Sequence, residues 1–178
     1  MVPDEVRALV DYCDERSLPL WLVSEQRSRF NYHFNDRVPV VMAEIHTEIP
    51  ERCDLHTMLQ EPVVKAVMFL TAQEVREGPL SFMPHARSTQ WFIHGQDIIP
   101  AEGGKLPAMR FMAEANGWTP DELMAFGDSE NDNEMLRYAG TGVAMGNALE
   151  ETKAASDYVT DDCDDEGVAH ALAHFALI

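Results

Sequence analysis

The stretch Gly127-Asp128-Ser129-Glu130-Asn131-Asp132-Asn133-Glu134-Met135 follows directly on the apolar run Leu123-Met124-Ala125-Phe126 and puts four carboxylates and two amides within the eight residues from Gly127 to Glu134. A short apolar run bounded by turn residues reads as a buried strand, so the acidic loop lies at the strand's carboxyl end. Working outward, helices and strands alternate. Residues 106–116 read as a helix stopped by Gly117, residues 131–138 as a helix stopped by Gly140, and residues 142–145 as a strand. A helix over about 148–155, a strand over 157–160 and a helix over 166–175 follow, the last with Val168, Leu172, Phe175 and Ala176 on one face. Strands separated by helices of this length are βαβ units, which build a parallel sheet in an α/β fold. Such sheets bind ligands at the carboxyl ends of their strands, which directs attention to the loop after Phe126.

The loop is a cluster of oxygen ligands. A hard cation such as Mg²⁺ takes one or two carboxylates and leaves the rest of its shell to water and phosphate, a description that Asp128 at the strand tip and Asp132 one helical turn on would meet. The alternative is that Asp132 and Asn131 only cap and charge a helix N-terminus. Lys105 is the second candidate. It follows Gly103-Gly104 at the start of a helix, where a cation could meet a phosphoryl oxygen, although most lysines are simply solvated. A phosphate-binding P-loop is excluded, because Leu106 stands where Ser or Thr is needed and Ile99 where the first glycine belongs. Calcium loops starting at Asp162 or Asp128 fail at the final glutamate, where Ala173 or Ala139 stands. His170 and His174 have zinc-chelating spacing but no glutamate between them and no third ligand nearby.

The first half has a different character. Val2, Val6, Leu9, Val10 and Cys13 mark one face of an opening helix. Strand-like runs follow at 18–23, 30–34, 38–42, 63–70 and 89–93, with a polar helical stretch over 71–77. This is an α+β module, and the change of rhythm puts the boundary at 95/96. Trp21, Phe30, Tyr32, Phe34, Trp91 and Phe92 read as packing residues, and Arg27 and Arg29 as surface cations able to meet a polar substrate.

Among the 178 residues, 13 Lys and Arg face 31 Asp and Glu, a net charge of -18 with no basic run. Nucleic acid and anionic membrane are therefore poor partners. No apolar stretch approaches a bilayer span and the first residues do not read as a signal peptide, so the expectation is a cytoplasmic protein. Cys13, Cys53 and Cys163 are odd in number and lack zinc-site or disulfide spacing.

Taken together, Lys105, the segment from Gly127 to Leu136, Gly142-Val143-Ala144-Met145-Gly146-Asn147-Ala148 and Asp165-Glu166-Gly167-Val168-Ala169 resemble the C-terminal half of a haloacid-dehalogenase-superfamily phosphatase of the Cof type. The resemblance is strong from about Asp97 to Phe175, and the preceding residues are similar, more loosely, to that family's α+β cap. It implies a partial Rossmannoid parallel-sheet core (96–178) carrying a substrate-specificity cap (1–95). It also implies a Mg²⁺-dependent phosphatase of small phosphorylated metabolites, often sugar phosphates. By matching position Asp128 would be a metal ligand, Asp132 the second acid supporting metal and lysine, Lys105 the cation on the phosphoryl group and Asn131 a phosphate-side contact. The family's Asp-x-Asp-Gly-Thr, whose first aspartate attacks phosphorus, does not occur here. The only Asp-x-Asp pattern, Asp162-Cys163-Asp164, lies within residues 161–165. The expectations are thus a chain that begins at the cap and is inactive alone, and self-association through an incomplete core. The alternative function is a non-catalytic metal- and phosphate-binding or interaction protein.

Overall fold

A computed structural model describes all residues, Met1–Ile178, and divides them into two compact units, Met1–Glu102 and Gly103–Ile178. The first unit opens with α1 (Pro3–Glu15), whose early proline and acids suit a helix N-terminus and whose Val6, Leu9, Val10 and Cys13 are buried. It continues through β1 (Leu20–Ser24), β2 (Ser28–Phe30), α2 (Arg37–Glu44), β3 (Val63–Met68), α3 (Ala72–Glu77), β4 (Ala86–Phe92) and β5 (Gly95–Pro100). The five strands form one antiparallel sheet in the order β2-β1-β3-β5-β4. One cluster joins α1 and Val75 of α3 to Leu20, Leu22, Ala66, Met68 and Ile98 of the sheet. A second joins Val38, Val41 and Met42 of α2 to Phe30, Val67 and Phe69.

The second unit runs α4 (Lys105–Asn116), β6 (Met124–Gly127), α5 (Asn133–Tyr138), β7 (Thr141–Ala144), α6 (Glu150–Lys153), β8 (Tyr158–Val159) and α7 (Gly167–His174). Its strands pair in parallel as β6-β7-β8, the α/β arrangement that the alternation implied. Gly117 ends α4 in the left-handed region at φ 71°, donating its N–H to Ala113 O and Glu114 O. Buried Ala125, Leu136 and Ala139 pack with Met109, Leu123 and Met135 to hold β6 between α4 and α5.

Four expectations are corrected. Residues 38–42 belong to helix α2, not to a strand, because burial at 38, 41 and 42 follows helical spacing. The strand expected over 30–34 stops at Phe30, since the Asn31 side chain accepts from Leu20 N (3.0 Å) and donates to Leu18 O (2.9 Å), turning the chain away. The boundary falls at Glu102/Gly103 rather than 95/96, because Gly95–Pro100 is a strand inserted between β3 and β4. In α7 the buried residues are Gly167 and Ala171, while Val168 is exposed, so the face assigned from larger side chains is not the packed one.

Candidate functional site

β6 ends at Gly127, and the chain behind it folds back so tightly that a Cβ on Gly127 would lie 2.4 Å from the Asp132 Cβ. Only glycine permits that approach. Ser129 adopts extended backbone, and a 3-10 turn over Glu130–Asp132 leads into α5. The turn carries Asp132 inward until it is 1% exposed.

Burying a carboxylate is costly unless its oxygens are engaged. Those of Asp132 are. Its Oδ1 accepts from the Lys105 ammonium, and its Oδ2 accepts from Asp128 N (3.0 Å) and, more weakly, Ser129 N (3.4 Å). Lys105 reaches it from the first turn of α4, which Gly104 enters at φ 127°, a conformation that favours glycine. Lys105, 27 positions away in sequence, is thus fixed beside the loop, with about half of its side chain exposed.

Asp128 is held by its backbone and free at its side chain. Its N–H goes to Asp132, its carbonyl accepts from Leu149 N (3.0 Å), and Gly127 O accepts from Met145 N (2.9 Å). The carboxylate itself is exposed to solvent at the end of β6. Asn131 is half-buried, and its Oδ1 accepts from the Ser129 hydroxyl at 2.8 Å. The structure therefore brings together Lys105, Asp128, Asn131 and Asp132. It distinguishes the two aspartates: the carboxylate of Asp132 is engaged by the protein's own donors, and that of Asp128 is available.

Other candidates have ordinary partners. His170 Nδ1 lies 2.7 Å from Asp161, and His174 stacks on Tyr158 with ring centroids 4.3 Å apart, so the two imidazoles do not converge. Arg27 pairs with Glu61 and Arg29 with Glu51. The Asp-x-Asp segment of residues 161–165 is tied into a turn, with Gly146 N donating to Asp161 O (2.9 Å) and Cys163 N to Asn147 Oδ1 (3.2 Å). Ser129, to which the sequence reading assigned no role, is a neighbour of Asn131. Its only sequence signal is a hydroxyl two positions before an amide.

Residues 1–172 match the family model of haloacid dehalogenase-like hydrolases, and the chain belongs to that family. It is 29% identical over 173 residues to YkrA of Bacillus subtilis strain 168, a match covering 97% of this chain and 66% of that one. It is 33% identical over 152 residues to a phosphoglycolate phosphatase of Methanothermobacter thermautotrophicus, covering 80% of this chain and 67% of the relative. In structure it superposes on the subclass IIB sugar phosphatase BT4131 with a TM-score of 0.86 at 29% identity, covering 100% of this chain and 68% of that chain. The chain thus spans about two thirds of the length of these relatives, with a cap and a parallel-sheet core of the family's kind.

Proposed function

We propose that this chain carries the cap and the phosphate-binding part of the core of a Mg²⁺-dependent phosphomonoesterase acting on small phosphorylated metabolites, sugar phosphates foremost, in the cytoplasm. The observation that carries the proposal is that the buried Asp132 engages Lys105 with one oxygen and the main chain of Asp128 with the other, while the Asp128 side chain is exposed. The donor set fits Mg²⁺: one available carboxylate with open space before it suits an ion that keeps water and phosphate oxygens in its shell. Asp128 would hold the ion, which when bound would neutralise charge on the phosphoryl oxygens.

Lys105 supplies a fixed positive charge toward the phosphoryl group, and preorganised charge of this kind is a large part of phosphoryl-transfer catalysis. Asp132 keeps that ammonium in place and fixes the Asp128 main chain, so it acts through both. Asn131 offers an amide N–H donor to a phosphoryl oxygen. The relative that acts on phosphoglycolate and the one described as a sugar phosphatase support the substrate class.

None of these groups attacks phosphorus, and no Asp-x-Asp-Gly-Thr occurs in these residues. That observation favours a second reading, in which the chain binds metal and phosphate without hydrolysis. The two are separated by phosphate release from p-nitrophenyl phosphate with Mg²⁺, by the chain alone and by the chain extended with an N-terminal Asp-x-Asp-Gly-Thr segment from a relative. The phosphatase reading expects silence from the first and Lys105-dependent turnover from the second. Silence from both, with Mg²⁺ heats intact in titration calorimetry and lost in Asp128→Ala, would establish the binding reading.

A further inference from the structure

We infer that the outer edge of β4 is a pairing surface for a second copy of this chain, the two β4 strands running antiparallel about a two-fold axis at Thr89. The sheet of the first unit has two edges of different kinds. β2 is three residues long and its outer side is occupied, because Phe30 N donates to Glu51 O (3.1 Å) and Phe30 O accepts from Cys53 N (2.9 Å). β4 runs seven residues, Ala86–Phe92, none of them fully buried, and has β5 as its only neighbour. It contains neither lysine nor proline, residues that commonly blunt an edge, and its one irregularity of register falls after Gln90.

The ladder to β5 decides which main-chain groups face outward. Ala101 N donates to His85 O (2.8 Å), and this pair continues the register that sets Ala86 opposite Pro100. Antiparallel bonding alternates along a strand, so Arg87 and Thr89 bond to β5, whereas Ala86, Ser88 and Gln90 direct their N–H and C=O groups away from it. The Ala86 N–H is already taken by Met83 O (3.1 Å). Ser88 and Gln90 remain. A second β4 satisfies both in a single register, with Ser88 of each copy opposite Gln90 of the other and Thr89 opposite its own image. Symmetry requires such a self-pairing at the axis, and threonine beside threonine is a favourable cross-strand pair. Charge selects the same occupant. Residues 78–96 contain no Asp or Glu in a chain of net charge -18, so two copies meet here without opposing carboxylates on the strand. Arg87, the one charged residue of β4, falls opposite Trp91 and not opposite itself.

An edge this short makes a small interface, so pairing depends on concentration. The test is amide hydrogen exchange by ¹H–¹⁵N NMR on the whole chain over a concentration series. Pairing shields the Ser88 and Gln90 amides only in the associated form, so their exchange should slow roughly tenfold when about nine tenths of the chains are paired. Arg87 and Thr89, bonded within the chain, should not respond. Gln90→Pro removes one outward donor and leaves the ladder to β5 intact, a substitution that edge strands accept. In that variant Ser88 should exchange at its dilute rate at every concentration, and protected Arg87 and Thr89 amides verify that the sheet is folded. Should the variant not fold, the wild-type series decides alone. Exchange at Ser88 and Gln90 that ignores concentration overturns the inference, even where the mass in light scattering rises, because association elsewhere would not shield these two amides. Concentration-dependent protection of Ser88 that survives Gln90→Pro overturns it as well.

Discussion

Gln96 has a side chain that is fully buried, yet neither its Nε2 nor its Oε1 meets a hydrogen-bond partner. Leaving such groups unmet costs about 1–3 kcal/mol, and methionine fills nearly the same volume without the polar atoms. Gln96→Met should therefore raise the urea midpoint at unchanged slope, worth about 1 kcal/mol or more. A lowered midpoint would show that the amide is satisfied in solution. Gly127 makes the opposite case. A methyl group there would stand 2.4 Å from the Asp132 Cβ and 2.7 Å from its Cγ, so either β6 or the buried carboxylate has to move. Gly127→Ala should cost roughly 1–3 kcal/mol and abolish Mg²⁺ heats in calorimetry, because the residue displaced is the one that orders Asp128 and Lys105. Retained Mg²⁺ affinity would separate the metal site from Asp132.

Elements in the first unit are tied together by charges that titrate. His56, on a 3-10 turn (Leu55–Met58), lies 2.9 Å from both Asp11 of α1 and Asp54, with Asp14 at 3.9 Å, and Asp14 also meets His33 at 3.1 Å. Hydrogen bonds to Asp11 first and Asp54 second raise the His56 pKa above its ordinary 6.5. A folded pKa above the unfolded one stabilises fully below pH 6.5 and ceases to do so as pH rises through the folded value. Melting temperature should therefore decline over that rise in wild type and be flatter in His56→Gln. Glu74 has the opposite sign. The Arg37 guanidinium, joined by the Thr71 cap, holds its carboxyl at about 2 instead of 4.5, so its contribution is present above pH 4.5 and disappears as pH falls toward 2. Acid melts of Glu74→Gln should lack that limb.

The elements also show what was readable in advance. The core alternation was legible because each βα unit is local and its stops, Gly117 and Gly140, lie in the chain itself. Residues 38–42 misled because Val-Pro-Val-Val-Met favours a strand by composition, whereas α2 is chosen by the apolar surface of Phe30, Val67 and Phe69 beneath it. At the site the acids were close together in the sequence and visible. The division of labour between Asp128 and Asp132 was not, since it depends on which oxygens meet the Lys105 ammonium and the backbone N–H groups.

For the molecule as a whole, the two units have unequal cores. The first buries leucines, methionines and phenylalanines, whereas the cluster in the second is Ala125, Leu136 and Ala139 with partly buried neighbours. Calorimetry should accordingly resolve two transitions, the lower from residues 103–178, and Mg²⁺ should raise that one alone. A single transition moved as a block by Mg²⁺ would contradict this. We further propose self-association through the second unit, where β6 is an edge strand and Phe111, Met112 and Trp118 are exposed. With a charge of -18 repelling each copy, the mass seen by light scattering should increase with salt as well as with concentration, and a constant monomer mass would refute it. The insertion of β5 between β3 and β4 also bears on how the chain is made. As it leaves the ribosome, β4 emerges with its only neighbour in the sheet still unsynthesised, so for the time needed to add residues 93–100 a seven-residue strand waits without a partner. At about 5–20 residues per second that wait lasts around a second, an interval in which a chaperone shielding a sticky nascent edge would matter more than at any later stage.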